Sequence, residues 1–349
     1  MIDPASEALA QATVLRHWPT LDEPRLTLLG GGLINLTLRV ETASGARYVL
    51  QRLHPIFDGR LHLDIEVVTA RLAARGLATP RLVPTVEGAL WVEDDGVWRV
   101  QTHLPGRTLG RVSGPDMARE AGALLGRFHD ALADLDHEFQ FVRQAHGLLM
   151  HAGTLSRTLA AHPQHRLASA VAPVAQALLT LASGQPDFAE LPRRITHGDP
   201  KISNVLFLPP DLRAHAFVDL DTLGRLDLPT ELGDAFRSWC NPAGEDAGEP
   251  HLDLGIFEAA VSGYASTAGS LVEPTEAKLL VTGLLVICTE LACRFAADAL
   301  NESYFGWDSD RFASRGEHNL HRARVQLALA RSVLQRRSAA EKIVANAFG

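Results

Sequence analysis

The chain's most constraining feature is a predicted hairpin with polar residues at both of its open ends. Asn204 precedes the apolar run 205–207, and Asp219 follows the apolar run 216–218. A turn containing Pro209 and Pro210 lies between the two runs. Short apolar runs separated by a proline turn favour two antiparallel strands. Such a hairpin returns Asp219 to the side of Asn204, so the two side chains are expected to lie together.

The residues just before this hairpin have a spacing suited to phosphoryl transfer. That chemistry needs a carboxylate to orient the acceptor hydroxyl and separate oxygen ligands for Mg²⁺. His197, Asp199 and Asn204 have the H-x-D-x4-N spacing of the protein-kinase catalytic loop. We therefore predict Asp199 as the catalytic base and Asn204 and Asp219 as metal ligands. A simple turn is the alternative for an isolated Gly-Asp pair, but the acidic end of the hairpin favours catalysis.

Three charged residues nearby are predicted to support this loop. Lys201 follows the base by two residues and is predicted to reach the γ-phosphate as a catalytic residue. Asp221 either binds metal or caps the turn after the hairpin. Asp234, at the start of a predicted helix, is expected to anchor the loop rather than to react.

A glycine-rich segment between two predicted strands indicates a nucleotide site. Glycines allow backbone N–H groups to approach phosphates closely. Arg52 ends the following strand and takes the place of the lysine that protein kinases carry there. Glu66, on the next helix, either pairs with Arg52 or is solvated. The predicted nucleotide-binding residues are Gly30, Gly31, Gly32, Asn35, Arg52, Glu66, Gln101 and His103.

The remaining pattern predicts a β-rich beginning and a helical remainder. The predicted elements are helix 5–17, strands 26–29, 36–40 and 47–53, helix 63–75, hairpin 90–92 with 97–102, helices 115–133 and 165–183, a β insert over 195–221, and helices from 231 onwards. This order predicts an α+β, protein-kinase-like two-lobed fold. We place a small β-rich N-lobe for the nucleotide at 1–104 and a large α-helical C-lobe, with the catalytic loop and acceptor site, at 105–349.

Composition excludes several other classes of function. The net charge is -8, and a nucleic-acid binder would usually carry a basic surplus. The longest apolar stretch, 279–289, is shorter than the roughly 20 residues of a membrane span, so a buried helix and no membrane partner are expected. The three cysteines form no C-x-x-C pair, and the N-terminus lacks a signal-peptide pattern. These observations predict a protein of a reducing cytoplasm.

The motifs taken together resemble the aminoglycoside phosphotransferase and choline kinase superfamily. The stretches 48–52, 196–207, 218–222, 232–237, 290–298, 304–305 and 318–320 are most similar to the N-acetylhexosamine 1-kinase branch. This resemblance implies ATP- and Mg²⁺-dependent phosphorylation of a small-molecule acceptor, a sugar such as an N-acetylhexosamine. It also places Arg294 and Tyr304 at the sugar, although Arg294 can alternatively pair with Glu290 one turn earlier. Gly198 departs from the branch, where asparagine is expected.

Three rival interpretations were weighed against a small-molecule kinase. Asp219 and Asp234 are only 15 positions apart and no A-P-E motif is present, which leaves little room for the activation loop of a protein kinase. A non-catalytic nucleotide-binding module would lack one of the three residues Asp199, Asn204 and Asp219, and all three are present. A metal hydrolase is disfavoured because the 15 histidines include no H-E-x-x-H pattern. Within the small-molecule kinases, aminoglycoside, choline and homoserine acceptors remain alternatives to a sugar.

Overall fold

A computed structural model describes residues 4–29, 35–142, 146–246 and 248–349. The chain divides into two compact units. The first comprises Met1–Pro105 together with Leu135–Val142, and the second comprises Gly106–Asp134 together with Arg143–Gly349. The division at 105 falls one residue from the predicted lobe boundary, whereas the segment 135–142 had been assigned to the other lobe.

The first unit is built on a five-stranded antiparallel sheet with the strand order β1-β2-β3-β5-β4. Its elements are α1 (Pro4–His17), β1 (Arg25–Leu28), β2 (Leu36–Glu41), β3 (Arg47–Arg52), α2 (Leu61–Ala74), β4 (Val92–Glu93) and β5 (Val97–Thr102). All seven had been predicted to within about two residues, because their apolar periodicity and the glycines between them are local signals. The predicted phosphate-binding glycines, Gly30, Gly31 and Gly32, lie outside the described residues.

Helix α1 packs against one face of this sheet. Val14 of the helix and Trp18, the residue directly after it, pack in one buried cluster with Leu38, Leu50 and Trp98 of the strands. Burial of side chains of this size contributes roughly 1.5–3 kcal/mol each. Side chains alternate along a strand, so the residues between these positions face the other side of the sheet.

The segment 135–142 joins the first unit through one buried carboxylate. Asp64 on α2 accepts hydrogen bonds from the backbone N–H groups of Gln140 (2.8 Å) and Phe141 (3.0 Å). The ring of His137 lies 2.8 Å from the same carboxylate. Such a long-range contact has no periodic signature in the sequence, which is why the prediction missed it.

The second unit is mainly helical, with two small strand pairs. Its helices are α3 (Pro115–Leu132), α4 (Leu148–Ala161), α5 (Ala168–Ser183), α6 (Leu228–Trp239), α7 (Leu254–Ala268), α8 (Pro274–Ala277), α9 (Leu280–Asn301) and α10 (Arg315–Phe348). Its strands are β6 (Arg194–Thr196), β7 (Val205–Leu208), β8 (Arg213–Phe217) and β9 (Gly224–Leu226). Strand β7 pairs with β8, and β6 with β9. Helix α4 had not been predicted as an element of its own.

Helix α9 forms the centre of the second unit. It packs against α4, α5, α6 and α10. At 22 residues it is long and apolar enough to cross a membrane by length and composition, yet 89% of its most apolar window is buried inside the protein. It continues past Glu290, where the apolar stretch had been expected to end, and the prediction of a buried helix is confirmed. The small antiparallel sheet and the large helical part confirm the predicted α+β class.

Candidate functional site

The loop that follows β6 adopts a conformation that only glycine permits at position 198. Gly198 has φ +79°, in the left-handed region, where side chains other than glycine, asparagine and aspartate are uncommon. A Cβ atom built at Gly198 would also overlap the carbonyl oxygen of Thr222. The hydroxyl of Thr222 donates to the carbonyl oxygen of His197 (3.0 Å). The glycine that departs from the resembled branch is therefore required by close packing of two backbones.

A buried glutamate anchors the same loop. The carboxylate of Glu231, 1% exposed on α6, accepts hydrogen bonds from the N–H groups of His197 (2.9 Å) and Gly198 (3.0 Å). Asp234 had been expected in this role, but its carboxylate accepts from Arg237 Nε instead (2.9 Å). The only sequence signal for Glu231 is an acidic residue in the buried first turn of a helix.

Asp199 is held by groups from its own loop. Lys201 Nζ forms an ion pair with Asp199 Oδ2. Asn204 Nδ2 donates to the Asp199 carbonyl oxygen (2.9 Å) and to Oδ2 (3.2 Å). Asp199 Oδ1 accepts no hydrogen bond from the residues that the structure describes. One carboxylate oxygen is thus fixed, and the other is available to an incoming hydroxyl.

The charge of Lys201 is secured by its surroundings. Burial acts to lower the pKa of Lys201, but the negative charges of Asp199 and Asp219 more than offset it, and the net effect raises this pKa. Lys201 is therefore a permanent cation beside the candidate base, as a γ-phosphate contact requires.

The hairpin brings Asn204 and Asp219 together as expected. Val205 pairs with Phe217, and the N–H of Val218 donates to the carbonyl oxygen of Asn204 (2.9 Å). Asp219 follows in the left-handed region, at φ 63° and ψ 57°. For a residue other than glycine this conformation costs on the order of 1 kcal/mol, and such residues cluster at functional sites. Asp221 lies buried in the next turn.

The side chains around this hairpin end suit Mg²⁺. Asn204 uses its Nδ2 for Asp199, so its Oδ1 is the atom of this side chain that can serve as an oxygen ligand, and Asp219 and Asp221 supply carboxylates at the same end of the hairpin. Within the described ranges, no three His, Cys, Asp or Glu side chains are grouped closely enough to enclose a metal on their own. Mg²⁺ prefers such partial sites, because it keeps waters and takes phosphate oxygens as further ligands. The donor set fits the ion in kind and in number.

The two predicted acceptor residues also lie close to each other. The guanidinium carbon of Arg294, on α9, is 6.0 Å from the Tyr304 ring centroid and 5.5 Å from that of Phe305. The alternative pair with Glu290 is not formed, because Glu290 is bound by His146 (3.0 Å) and the N–H of Gly147 (2.8 Å). No described residue forms a hydrogen bond or ion pair with Arg294. Its guanidinium donors are therefore available to a ligand.

In the first unit, Arg52 and Glu66 have partners that the sequence did not predict. Arg52 Nη2 lies 3.3 Å from Asp95, and its guanidinium carbon lies 5.7 Å from the Trp98 ring centroid. Glu66 pairs with Arg81 (2.5 Å). The expected Arg52–Glu66 pair is replaced by these two.

Strand alternation explains this outcome for Arg52. Leu50 packs under α1, so Arg52, two residues later, lies on that face and Gln51 on the opposite one. There Gln51 Oε1 accepts from Arg99 Nε (2.9 Å) and Nη2 (2.7 Å). Arg99 is fully buried, and the prediction missed it because a lone arginine in an apolar strand gives no signal of its own.

The other predicted nucleotide residues of the first unit occupy distinct places. Asn35 Oδ1 accepts from the N–H of His54 (2.9 Å). Gln101 is buried on β5. Burial, together with the charges of Arg47 and Arg39, lowers the pKa of His103, so its ring is neutral at neutral pH.

Comparison with known proteins was made against family models and solved structures. A model of the phosphotransferase enzyme family (APH) matches residues 25–269, more than half of the chain. An amicoumacin kinase in complex with AMP-PNP, Ca²⁺ and amicoumacin is similar in structure, with a TM-score of 0.62, 14% identity, and 93% of each chain covered.

Two further solved kinases are similar over most of their length. A microcompartment-associated aminopropanol kinase has a TM-score of 0.63 and 16% identity, with 97% of this chain and 98% of that chain covered. The ethanolamine kinase of Plasmodium vivax has a TM-score of 0.59 and 12% identity, with 93% and 89% covered. At such identities the similarity shows the fold alone, and these kinases of that fold act on different acceptors.

Proposed function

The chain belongs to the phosphotransferase enzyme family and is a small-molecule kinase, and we propose that its acceptor is a neutral sugar such as an N-acetylhexosamine. ATP with a divalent metal ion, taken here as Mg²⁺, supplies the phosphoryl group. Asn204, Asp219 and Asp221 are the proposed metal ligands, and the bound ion neutralises charge on the phosphates. We also propose the cytoplasm as the place of action.

The observation that carries the sugar assignment is the charge balance beside Arg294. Two carboxylates on its helix already accept hydrogen bonds from protein donors. Glu290 is bound by His146 and Gly147, and Asp298 accepts from Asn319 Nδ2 and from the N–H groups of residues 303, 304 and 305. Asp234 is paired with Arg237.

A cationic acceptor at Arg294 would therefore meet a guanidinium that has no ion-pair partner among the described residues, while the carboxylates of Glu290, Asp298 and Asp234 already have protein partners. Burying a positive charge without a partner costs several kcal/mol. Sugar hydroxyl and acetamide oxygens instead accept hydrogen bonds from a guanidinium, and the Tyr304 ring can cover an apolar sugar face. This supports a neutral, oxygen-rich acceptor over choline or an aminoglycoside.

The proposed chemistry uses one carboxylate oxygen and one cation of this chain. Asp199 Oδ1 orients the acceptor hydroxyl and accepts its proton as the oxygen attacks the γ-phosphorus in line and ADP leaves. Lys201 moves from Asp199 to the transferred phosphoryl group. On the nucleotide side we propose Arg52, Glu66, Asn35, Gln101, His103 and the segment Gly30, Gly31 and Gly32.

A matched pair of acceptors tests the proposal. N-acetylglucosamine and glucosamine share a ring and differ in charge at neutral pH, so ADP release is measured with each, and with choline, homoserine and an aminoglycoside. We expect kcat/KM for the neutral sugar to exceed that for the amine by about 100-fold, the equivalent of about 2.7 kcal/mol. Equal values, or turnover with choline alone, would reject the sugar assignment. No ADP release with any acceptor would favour a non-catalytic nucleotide-binding module.

A further inference from the structure

A histidine beside the catalytic loop has hydrogen-bond acceptors at both ring nitrogens. His146 Nδ1 lies 3.0 Å from Glu290 Oε1, and its Nε2 lies 3.3 Å from the carbonyl oxygen of Gly198. The His146 side chain is 13% exposed and the Glu290 side chain 3%. The Gly198 carbonyl belongs to the peptide that leads directly into Asp199.

Both partners can only accept hydrogen bonds, which determines the charge of the ring. A carboxylate and a carbonyl offer no proton, so each ring nitrogen must carry one, and only the imidazolium carries both. His197 on the same loop is the opposite case. Its Nδ1 accepts from the N–H of Asp199 (3.3 Å) and its Nε2 donates to the Val218 carbonyl (3.0 Å), so these two contacts need only one ring proton.

We propose that His146 is a positioning residue for phosphoryl transfer, an imidazolium that holds the Asp199 peptide at a fixed distance from Glu290 on α9. The inference rests on the proposed function, since it takes Asp199 as the base. Glu231 holds the loop by its N–H groups, and His146 holds it by a carbonyl. Helix α9 also carries Arg294, one turn beyond Glu290, so the same helix orients both the base and the proposed acceptor contact.

Ionisable groups from three helices lie around His146. They are Glu290 and Arg294 on α9, Asp234 on α6, and His151 on α4, whose Nε2 lies 3.9 Å from Glu290 Oε1. Burial and Arg294 act to lower the pKa of His146, but Glu290 and Asp234 outweigh them and raise it to about 9. The His146 ring is therefore fully protonated at neutral pH, and it loses its positive charge as the pH rises through about 9.

The test compares kcat across pH in the wild type, His146→Gln and Glu290→Gln. The enzyme is saturated with ATP and with whichever acceptor is turned over. In the wild type we expect kcat to fall above pH about 9. In His146→Gln we expect kcat to be reduced about tenfold without an alkaline fall, and KM for ATP to stay near that of the wild type. In Glu290→Gln the fall should move toward pH about 6.5, the ordinary histidine value. His151→Gln is the matched control, because His151 Nε2 lies 3.9 Å from the same Glu290 carboxylate on a different helix, and this variant should keep the wild-type profile.

An activity-independent measurement separates this inference from the proposed function. Histidine-labelled protein is titrated by NMR, and the His146 resonance is identified by its loss in His146→Gln. A wild-type resonance that titrates near pH 9 supports the inference even if no sugar is phosphorylated, and a lower value in a Glu290→Gln variant with a wild-type-like spectrum assigns the shift to Glu290. Titration near 6.5 in the wild type would overturn it. An unchanged kcat and an unchanged alkaline fall in His146→Gln would also overturn it.

Discussion

The catalytic loop of the second unit and the nucleotide-side strands of the first differ in how their polar groups are held. In the loop, buried Glu231 and the adjacent chain fix the backbone around Asp199. In the first unit, Arg52 is 34% exposed and pairs with Asp95, which is 72% exposed. Exposed ion pairs contribute about 0–1 kcal/mol, whereas buried and charge-assisted hydrogen bonds are worth about 1.5–3 kcal/mol. Substitutions should therefore have large effects in the loop and small effects at Arg52.

The largest effect is expected from removing the base. Asp199→Asn keeps the shape of the side chain but removes its ability to accept a proton, so kcat should fall by about 10²–10⁴-fold. Melting temperature should remain near that of the wild type. Asp211→Asn, in the exposed hairpin turn, is the control and should retain full turnover. Undiminished activity in Asp199→Asn would show that another group is the base.

A backbone change in the same loop is expected to be nearly as damaging. Gly198→Ala places a Cβ against the Thr222 carbonyl and forces alanine into the left-handed region. Unfolding free energy should fall by about 1–3 kcal/mol, with most activity lost, as measured by thermal denaturation and ADP release. Gly110→Ala adds a Cβ where there is open space, so it should change neither the unfolding free energy nor the activity. Equal stability of the two variants would contradict the packing described for Gly198.

A smaller effect, confined to the acceptor, is expected at Arg294. Arg294→Ala removes the guanidinium that has no partner among the described residues, so KM for the sugar should rise about tenfold, or about 1.4 kcal/mol. KM for ATP should stay constant. Arg157→Ala, on the exposed side of α4, is the charge-matched control. A rise in KM for ATP alone would indicate that Arg294 contacts the nucleotide and not the acceptor.

The smallest effect is expected on the nucleotide side. Arg52→Ala removes a half-exposed cation, and KM for ATP should rise about three- to fivefold with kcat nearly unchanged. Glu66→Gln is the companion variant, and its effect should be independent, since Glu66 pairs with Arg81 rather than with Arg52. A strongly non-additive double variant would show that the two residues act together after all.

The same contrast explains which parts of the candidate site can be predicted from the sequence. The loop and hairpin were predictable because Asp199, Asn204 and Asp219 are close in the chain and a strand–turn–strand pattern joins them. The partner of Arg52 depends on strand alternation, and Glu66 on α2 pairs with Arg81 in the segment that follows the helix, so spacing revealed neither pair. Glu231 and His146 were missed for a related reason, since each reaches the loop from a distant segment without a motif of its own.

The identity of the product shows whether the protein transfers a phosphoryl group from ATP to a hydroxyl of a neutral sugar. ³¹P NMR of a reaction containing the protein, ATP, Mg²⁺ and N-acetylglucosamine distinguishes a sugar phosphate from free phosphate, and its coupling to protons identifies the hydroxyl that is phosphorylated. A phosphomonoester is expected in amounts equal to ADP, and Asp199→Asn should form it about 10²–10⁴-fold more slowly. Free phosphate as the sole product, or an unchanged ATP spectrum, would contradict it.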